Sequence, residues 1–165
     1  MASRPRWRIV PGDLDDPRII ELLETHVAAA AQDLPPESCH ALDVSGLKQP
    51  ELSFWAMWED DALLGVGALK DLGGGHGEVK SMHVAAAARG RGLGAAIIRH
   101  IIANARARGL KRLSLESGAI PYFLPARALY ARHGFAECGP YQGYSDDPNS
   151  VFMTLDLAAD PATST

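Results

Sequence analysis

The stretch ARGRGLGAAIIRHIIANARARG, residues 88 to 109, leaves its own backbone little choice. Ile97, Ile98, Ile101, Ile102 and Ala105 recur at helical spacing, while Arg99, His100, Asn104, Arg106 and Arg108 fall largely on the opposite side, so a helix with one apolar face follows. Gly109 supplies its C-terminal stop. Immediately upstream, EVKSMHV (78 to 84) alternates a Val79, Ser81, His83 set with a Glu78, Lys80, Met82 set and reads as a strand. The unit is therefore strand, short loop, glycine-rich elbow, helix.

Such an elbow suits an anion. The first turn of a helix carries unpaired backbone N–H groups and partial positive charge, and glycines let a phosphate approach the main chain. Arg89 and Arg91 add cationic side chains beside it. Two nucleotide motifs fail here. The chain has no Gly-Lys-Ser or Gly-Lys-Thr for a Walker A loop, and Gly90, Gly92 and Gly94 are spaced wrongly for the dinucleotide fingerprint G-x-G-x-x-G. A formal net charge of −4 argues against a protein that coats nucleic acid, so the basic cluster points to a small anionic cofactor.

The elbow does fit R-x-x-G-x-G, through Arg89, Gly92 and Gly94, and downstream ARALYARHGF (126 to 135) fits A-x-x-L-Y-x-x-x-G-F. In that order the two motifs resemble those of the GNAT superfamily of N-acetyltransferases. The resemblance implies that acetyl-coenzyme A is the cosubstrate. Its pyrophosphate would be held by Arg89, Gly90, Arg91, Gly92, Leu93 and Gly94, and its pantetheine arm and acetyl carbonyl by the backbone of Met82, His83 and Val84. Ala126 and Tyr130 would complete the coenzyme site, and Tyr130 would protonate the departing thiolate. Many members place an asparagine seven residues before that tyrosine, where this chain has Phe123.

The remaining elements are read from periodicity. WRIV (7 to 10) is a strand, and 13 to 34 a helix opened by aspartates. A polar connection spans 35 to 51, and strands at 52 to 59 and 62 to 70 form a hairpin. DLGGGHG is a flexible loop. Beyond the long helix come a strand at 112 to 118, a short helix at about 125 to 133 and a last strand at 150 to 157. The order β-α-β-β-β-α-β-α-β predicts an α/β fold whose mixed, mostly antiparallel twisted sheet is flanked by helices, as the resemblance also implies.

With 165 residues, 47% hydrophobic and 22% charged, the chain suits one globular domain, with a core over about 7 to 157 and a flexible tail, AADPATST, at 158 to 165. Cys39 and Cys138 form neither a disulfide framework nor a metal pattern, so no metal is expected. MASRPRWRIV lacks the apolar core of a signal peptide, and no stretch reaches the roughly 20 apolar residues of a membrane span. The expectation is a cytoplasmic protein, monomer or homodimer, without nucleic-acid or membrane partners.

Acetyl transfer to an amine needs a base, because a lysine-like amine with a pKa of about 10.4 is almost wholly cationic at neutral pH. Glu78 lies eleven residues before Arg89, the offset at which the histone-modifying branch of the family carries its base. Glu116, on the next strand, is the rival, and His83 a third choice better read as a packed side chain. The resemblance places the acceptor, a small-molecule or peptide amine, between PPESCHALD and GPYQGYSDDPNS, where Glu37, Asp43, Asp146 and Asp147 either make an anionic groove or are solvated loop charges. A non-catalytic acetyl-coenzyme A sensor is the alternative.

Overall fold

The computed structural model describes residues 6–31 and 34–158. The last seven residues of the expected flexible tail lie outside them. Among the described residues, seven strands form one sheet in the order β1-β2-β3-β4-β5-β7-β6. The strands are β1 (Trp7–Pro11), β2 (Leu52–Glu59), β3 (Ala62–Gly73), β4 (His76–Val84), β5 (Arg112–Gly118), β6 (Ala136–Cys138) and β7 (Ser150–Asp156). The main helices are α1 (Pro17–Ala31), α2 (Val44–Leu47), α3 (Leu93–Ala107) and α4 (Leu124–Arg132).

Alternation along β2 sends Trp55 and Met57 to one face and Phe54, Ala56 and Trp58 to the other. Two cores result. Beneath one face lies α3, whose Ile98 and Ile101 are wholly buried, each contributing about 2–3 kcal/mol by burial. It sits close because β3 offers no side chain there: a Cβ on Gly67 would stand 2.8 Å from Ile97, and one on Gly65 also 2.8 Å from Ile97. On the opposite face α1 buries Ile19 and Leu23.

The mixed, mostly antiparallel sheet expected from the sequence is present, and strands 52 to 59 and 112 to 118 fall at their expected bounds. Elsewhere the structure corrects the reading. DLGGGHG is not a flexible loop: β3 runs to Gly73, β4 begins at His76, and Gly74 and Gly75 (φ +64° and +81°) form the tight two-residue hairpin turn that needs two left-handed residues. The first helix starts later, at Pro17, where Asp16 Oδ1 accepts the Arg18 N–H at 2.9 Å. Two short elements, α2 and β6, were not expected.

β4 and β5 are the parallel pair, connected by α3, and they touch only from His76–Arg112 to Glu78–Ser114. Beyond that point β4 stays paired with β3, and β5 with β7. The sheet therefore forks, and the β5-facing backbone of Lys80 to Val84 is free of strand partners on that side.

Candidate active site

Two chambers meet at the fork. One, of about 380 Å³, lies between the end of β4, the elbow and α4. Gly90 and Gly92 have φ of +83° and +75°, and a Cβ on either would point into open space. The first turn of α3 lines this chamber, and its N-cap Gly92 provides no side-chain acceptor for the turn's N–H groups. Arg89 reaches over the mouth to the Tyr122 hydroxyl, 3.4 Å away. Arg91 departs from the expected grouping: its guanidinium pairs with Glu59 at 2.9 Å and does not line the chamber. Gly94 lets α4 approach, since a Cβ there would stand 3.0 Å from Leu129. Met82, His83, Val84, Leu93, Ala126 and Tyr130 all line the cavity.

Ser81 holds a left-handed backbone (φ +54°) beside a register shift, where Val66 opposes His83 but Ala68 opposes Lys80. This bulge re-aims the strand at the point where it lines both chambers. The Ser81 hydroxyl is buried with no partner among the described residues. His83 is buried, as its packed reading required, and its Nδ1 stands 3.1 Å from Nδ1 of His26 on α1. Burial pulls both imidazoles down to about 4, so neither is charged at neutral pH.

The second chamber, of about 90 Å³, lies on the other side of Tyr130, between β4, β5, the end of α1 and the 38–41 segment. Here the two sequence-derived carboxylates come together in unequal surroundings. Glu78 is 3% exposed, and its Oε2 accepts the hydroxyls of Tyr141 and Tyr144, each at 2.6 Å. Lys80 Nζ stands 3.7 Å from the same oxygen and donates to the Tyr144 hydroxyl (3.0 Å) and the His40 carbonyl (3.3 Å). Burial lowers the Lys80 amine, while Glu78 and Glu116 counter that. Burial, the Glu78 charge and the bonds to it push both tyrosines far up, so they stay protonated donors.

The Glu116 side chain makes no hydrogen bond among the described residues and lines the chamber directly. Burial raises its carboxyl to about 7; Lys80 pulls it down, and Glu78 and Asp147 push it up. Burial, and then the Glu116 charge, push Tyr130 up to about 12. Among the described residues, no three His, Cys, Asp or Glu side chains assemble as a metal site requires.

The loop carboxylates, read either as an anionic groove or as solvated charges, form no part of this chamber's wall. Asp43 caps α2 through the Gly46 N–H, and Asp147 accepts from Ser38 Oγ at 2.5 Å, tying the two walls together. Glu37 and Asp146 are exposed. Sequence reasoning missed Tyr141, Tyr144, Lys80 and His26. Two signals were present: Lys80 shares a strand face with Glu78, and the tyrosines flank Gly143 in a segment already assigned to the acceptor wall.

The sequence pattern of the Acetyltransferase (GNAT) family matches residues 18–135. The chain is 46% identical over 145 residues to the uncharacterized N-acetyltransferase YsnE of Bacillus subtilis, spanning 88% of this chain and 96% of that one. It is equally 46% identical over 151 residues to the uncharacterized N-acetyltransferase YedL of Escherichia coli, spanning 92% and 95%. A GNAT family acetyltransferase from Elizabethkingia anophelis, crystallised with acetyl-CoA bound, shares the fold with a TM-score of 0.68 at 15% identity, over 93% and 99% of the two chains. The forked sheet, the elbow and these relatives agree: the chain belongs to the GNAT acetyltransferase family and is an acyltransferase.

Proposed function

We propose that the chain transfers the acetyl group of acetyl-CoA to a primary amine of a small molecule or peptide. The observation that carries this reading is the meeting of two chambers at the fork, with Tyr130 and Met82 lining both. A thioester held along β4 would present its carbonyl carbon at that junction, and an amine in the smaller chamber would face it.

The residues fit the coenzyme. The open side of Gly90 and Gly92 leaves main-chain N–H groups free for a pyrophosphate, and Arg89 and Arg132 are the arginines lining that chamber. The free edge of β4 from Met82 to Val84 offers hydrogen bonds to an extended pantetheine arm and to the oxygen of the reacting carbonyl.

Glu116 is the better base of the two carboxylates. A group near 7 takes a proton from an entering ammonium and remains half ionised at neutral pH, which is where general bases work best. Glu78, held by three donors, instead fixes Tyr144 and Lys80 as the chamber wall. Tyr130 stays protonated throughout the working range, ready to supply the leaving sulfur. A proton taken by Glu116 removes the negative charge beside the phenol, so the first transfer eases the second. Thiol release should be followed with acetyl-CoA and polyamines, monoamines, amino acids, aminoglycosides and peptide N-termini. Turnover above background hydrolysis with any amine supports transfer, whereas tight acetyl-CoA binding without turnover on any of them supports a sensor.

A further inference from the structure

We infer that the acceptor is a slim primary amine with an uncharged body, carrying no carboxylate or phosphate next to the reacting nitrogen. This rests on the N-acetyl transfer reading and narrows it from the side chains that the smaller chamber leaves unpaired.

The charged residues lining that chamber are Glu78, Lys80 and Glu116. Lys80 is the side chain that would receive a substrate carboxylate, and its donors are already taken. The Tyr144 hydroxyl and the His40 carbonyl accept two hydrogen bonds, and the third direction faces Glu78. With 11% of its side chain exposed, Lys80 also has little surface left for a further partner. Glu78 and Lys80 cancel, and His26 and His40 are held below their usual range by burial, so neither adds positive charge at neutral pH. Arg89 lies in the other chamber, engaged with the Val84 carbonyl and Tyr122.

Among the lining groups that make no side-chain hydrogen bond among the described residues are an acid and a hydroxyl, Glu116 and Ser81. Together they suit an ammonium, which has donors for both. A carboxylate on the neighbouring carbon would enter a site whose one uncompensated charge is negative, with no cation to meet it, and like charges brought together in such surroundings are strongly unfavourable. The narrow volume, about 90 Å³ against about 380 Å³ on the coenzyme side, and the rings of Phe123 and Tyr144 favour an unbranched approach to the nitrogen.

The test uses matched acceptors with the intact protein: phenethylamine against phenylalanine and phenylalaninamide, and tyramine against tyrosine and tyrosinamide. Thiol release should give kcat/KM at least about a hundredfold higher for the amine than for the amino acid, and the amide, which keeps the size and loses the charge, should recover most of that loss. Amino acids used as well as their amines or amides would overturn the inference and leave N-acetyl transfer standing. A Lys80→Met variant that retains amine turnover but selectively loses amino-acid turnover would also overturn it, by showing that Lys80 reads a carboxylate. If acetyl-CoA binds by calorimetry and none of these amines, nor any in the wider panel, is acetylated, the transfer reading itself fails and takes the inference with it.

Discussion

Replacing Glu116 with Gln separates catalysis from stability because the same buried charge bears on both with opposite sign. At about 7 in the folded protein, against an ordinary 4.5, this carboxyl binds its proton more tightly folded than unfolded. Folding stability is therefore lost as pH rises from about 4.5 to about 7, by at most about 3 kcal/mol at 1.36 kcal/mol per pKa unit. Glu116→Gln removes that cost, so its thermal midpoint should exceed the parent's by several degrees at pH 8 and match it near pH 4.5. Turnover should move the other way. General base catalysis is worth roughly 10²- to 10⁴-fold, and the loss should be greatest between about pH 7.5 and 9, where the parent base is ionised and the amine is still cationic. The deficit should shrink below pH 6, where the parent carboxyl is protonated, and again as pH approaches the amine's own pKa. The assays are thermal unfolding and kcat/KM across that range on one preparation. An acidic limb near 7 that survives in Glu116→Gln refutes the assignment and returns the base role to Glu78. A variant with no stability gain at pH 8 refutes the burial argument.

Three further substitutions probe the other parts of the site. Gly92→Val should weaken acetyl-CoA binding at least tenfold by calorimetry, because φ of +75° strains a β-branched residue and the new side chain points into the open space at the elbow; an unchanged affinity in a folded variant would place the pyrophosphate elsewhere. Tyr130→Phe should lower turnover about a hundredfold while acetyl-CoA affinity stays within a few-fold, and near-normal turnover would reduce the residue to packing against Phe135. Tyr141→Phe and Tyr144→Phe should each destabilise by about 1–3 kcal/mol in denaturant unfolding, since each leaves buried Glu78 one donor short. No loss in either variant would mean that water replaces the hydroxyl.

The parts of the fold that were legible are those whose signal is local. Helix α3 announces itself through isoleucines at helical spacing, and β2 and β5 through alternation across a sheet buried on both faces. The elbow was legible because the left-handed backbone at Gly90 and Gly92 is encoded at those positions alone. By contrast β6 is three exposed residues whose pairing with β7 depends on a neighbouring strand, and α2 is a single turn containing a glycine. Arg91 was drawn to the elbow by proximity in sequence, yet its side chain answers to Glu59, 32 residues earlier. Glu78 was grouped with the polar set of its strand; what buries it is a loop 63 to 66 residues away, a distance across which no local pattern speaks.

That loop also gives two carboxylates in one chamber different surroundings. Environments that push two acids apart commonly mark the division of labour at a site. Glu78 receives two phenols and faces an ammonium, whereas Glu116 receives burial and the repulsion of Glu78 against the pull of Lys80. The partners that hold Glu78 thereby bear on Glu116 as well: they fix in place the Lys80 charge that pulls it down and the Glu78 charge that pushes it up. The order runs from the YQGY segment to Glu78, from Glu78 to Glu116, and from Glu116 to Tyr130, whose phenol feels the Glu116 charge. The YQGY segment would in this way tune the proposed proton transfers at the junction, joining the proposed acceptor wall and acid–base pair in one electrostatic unit.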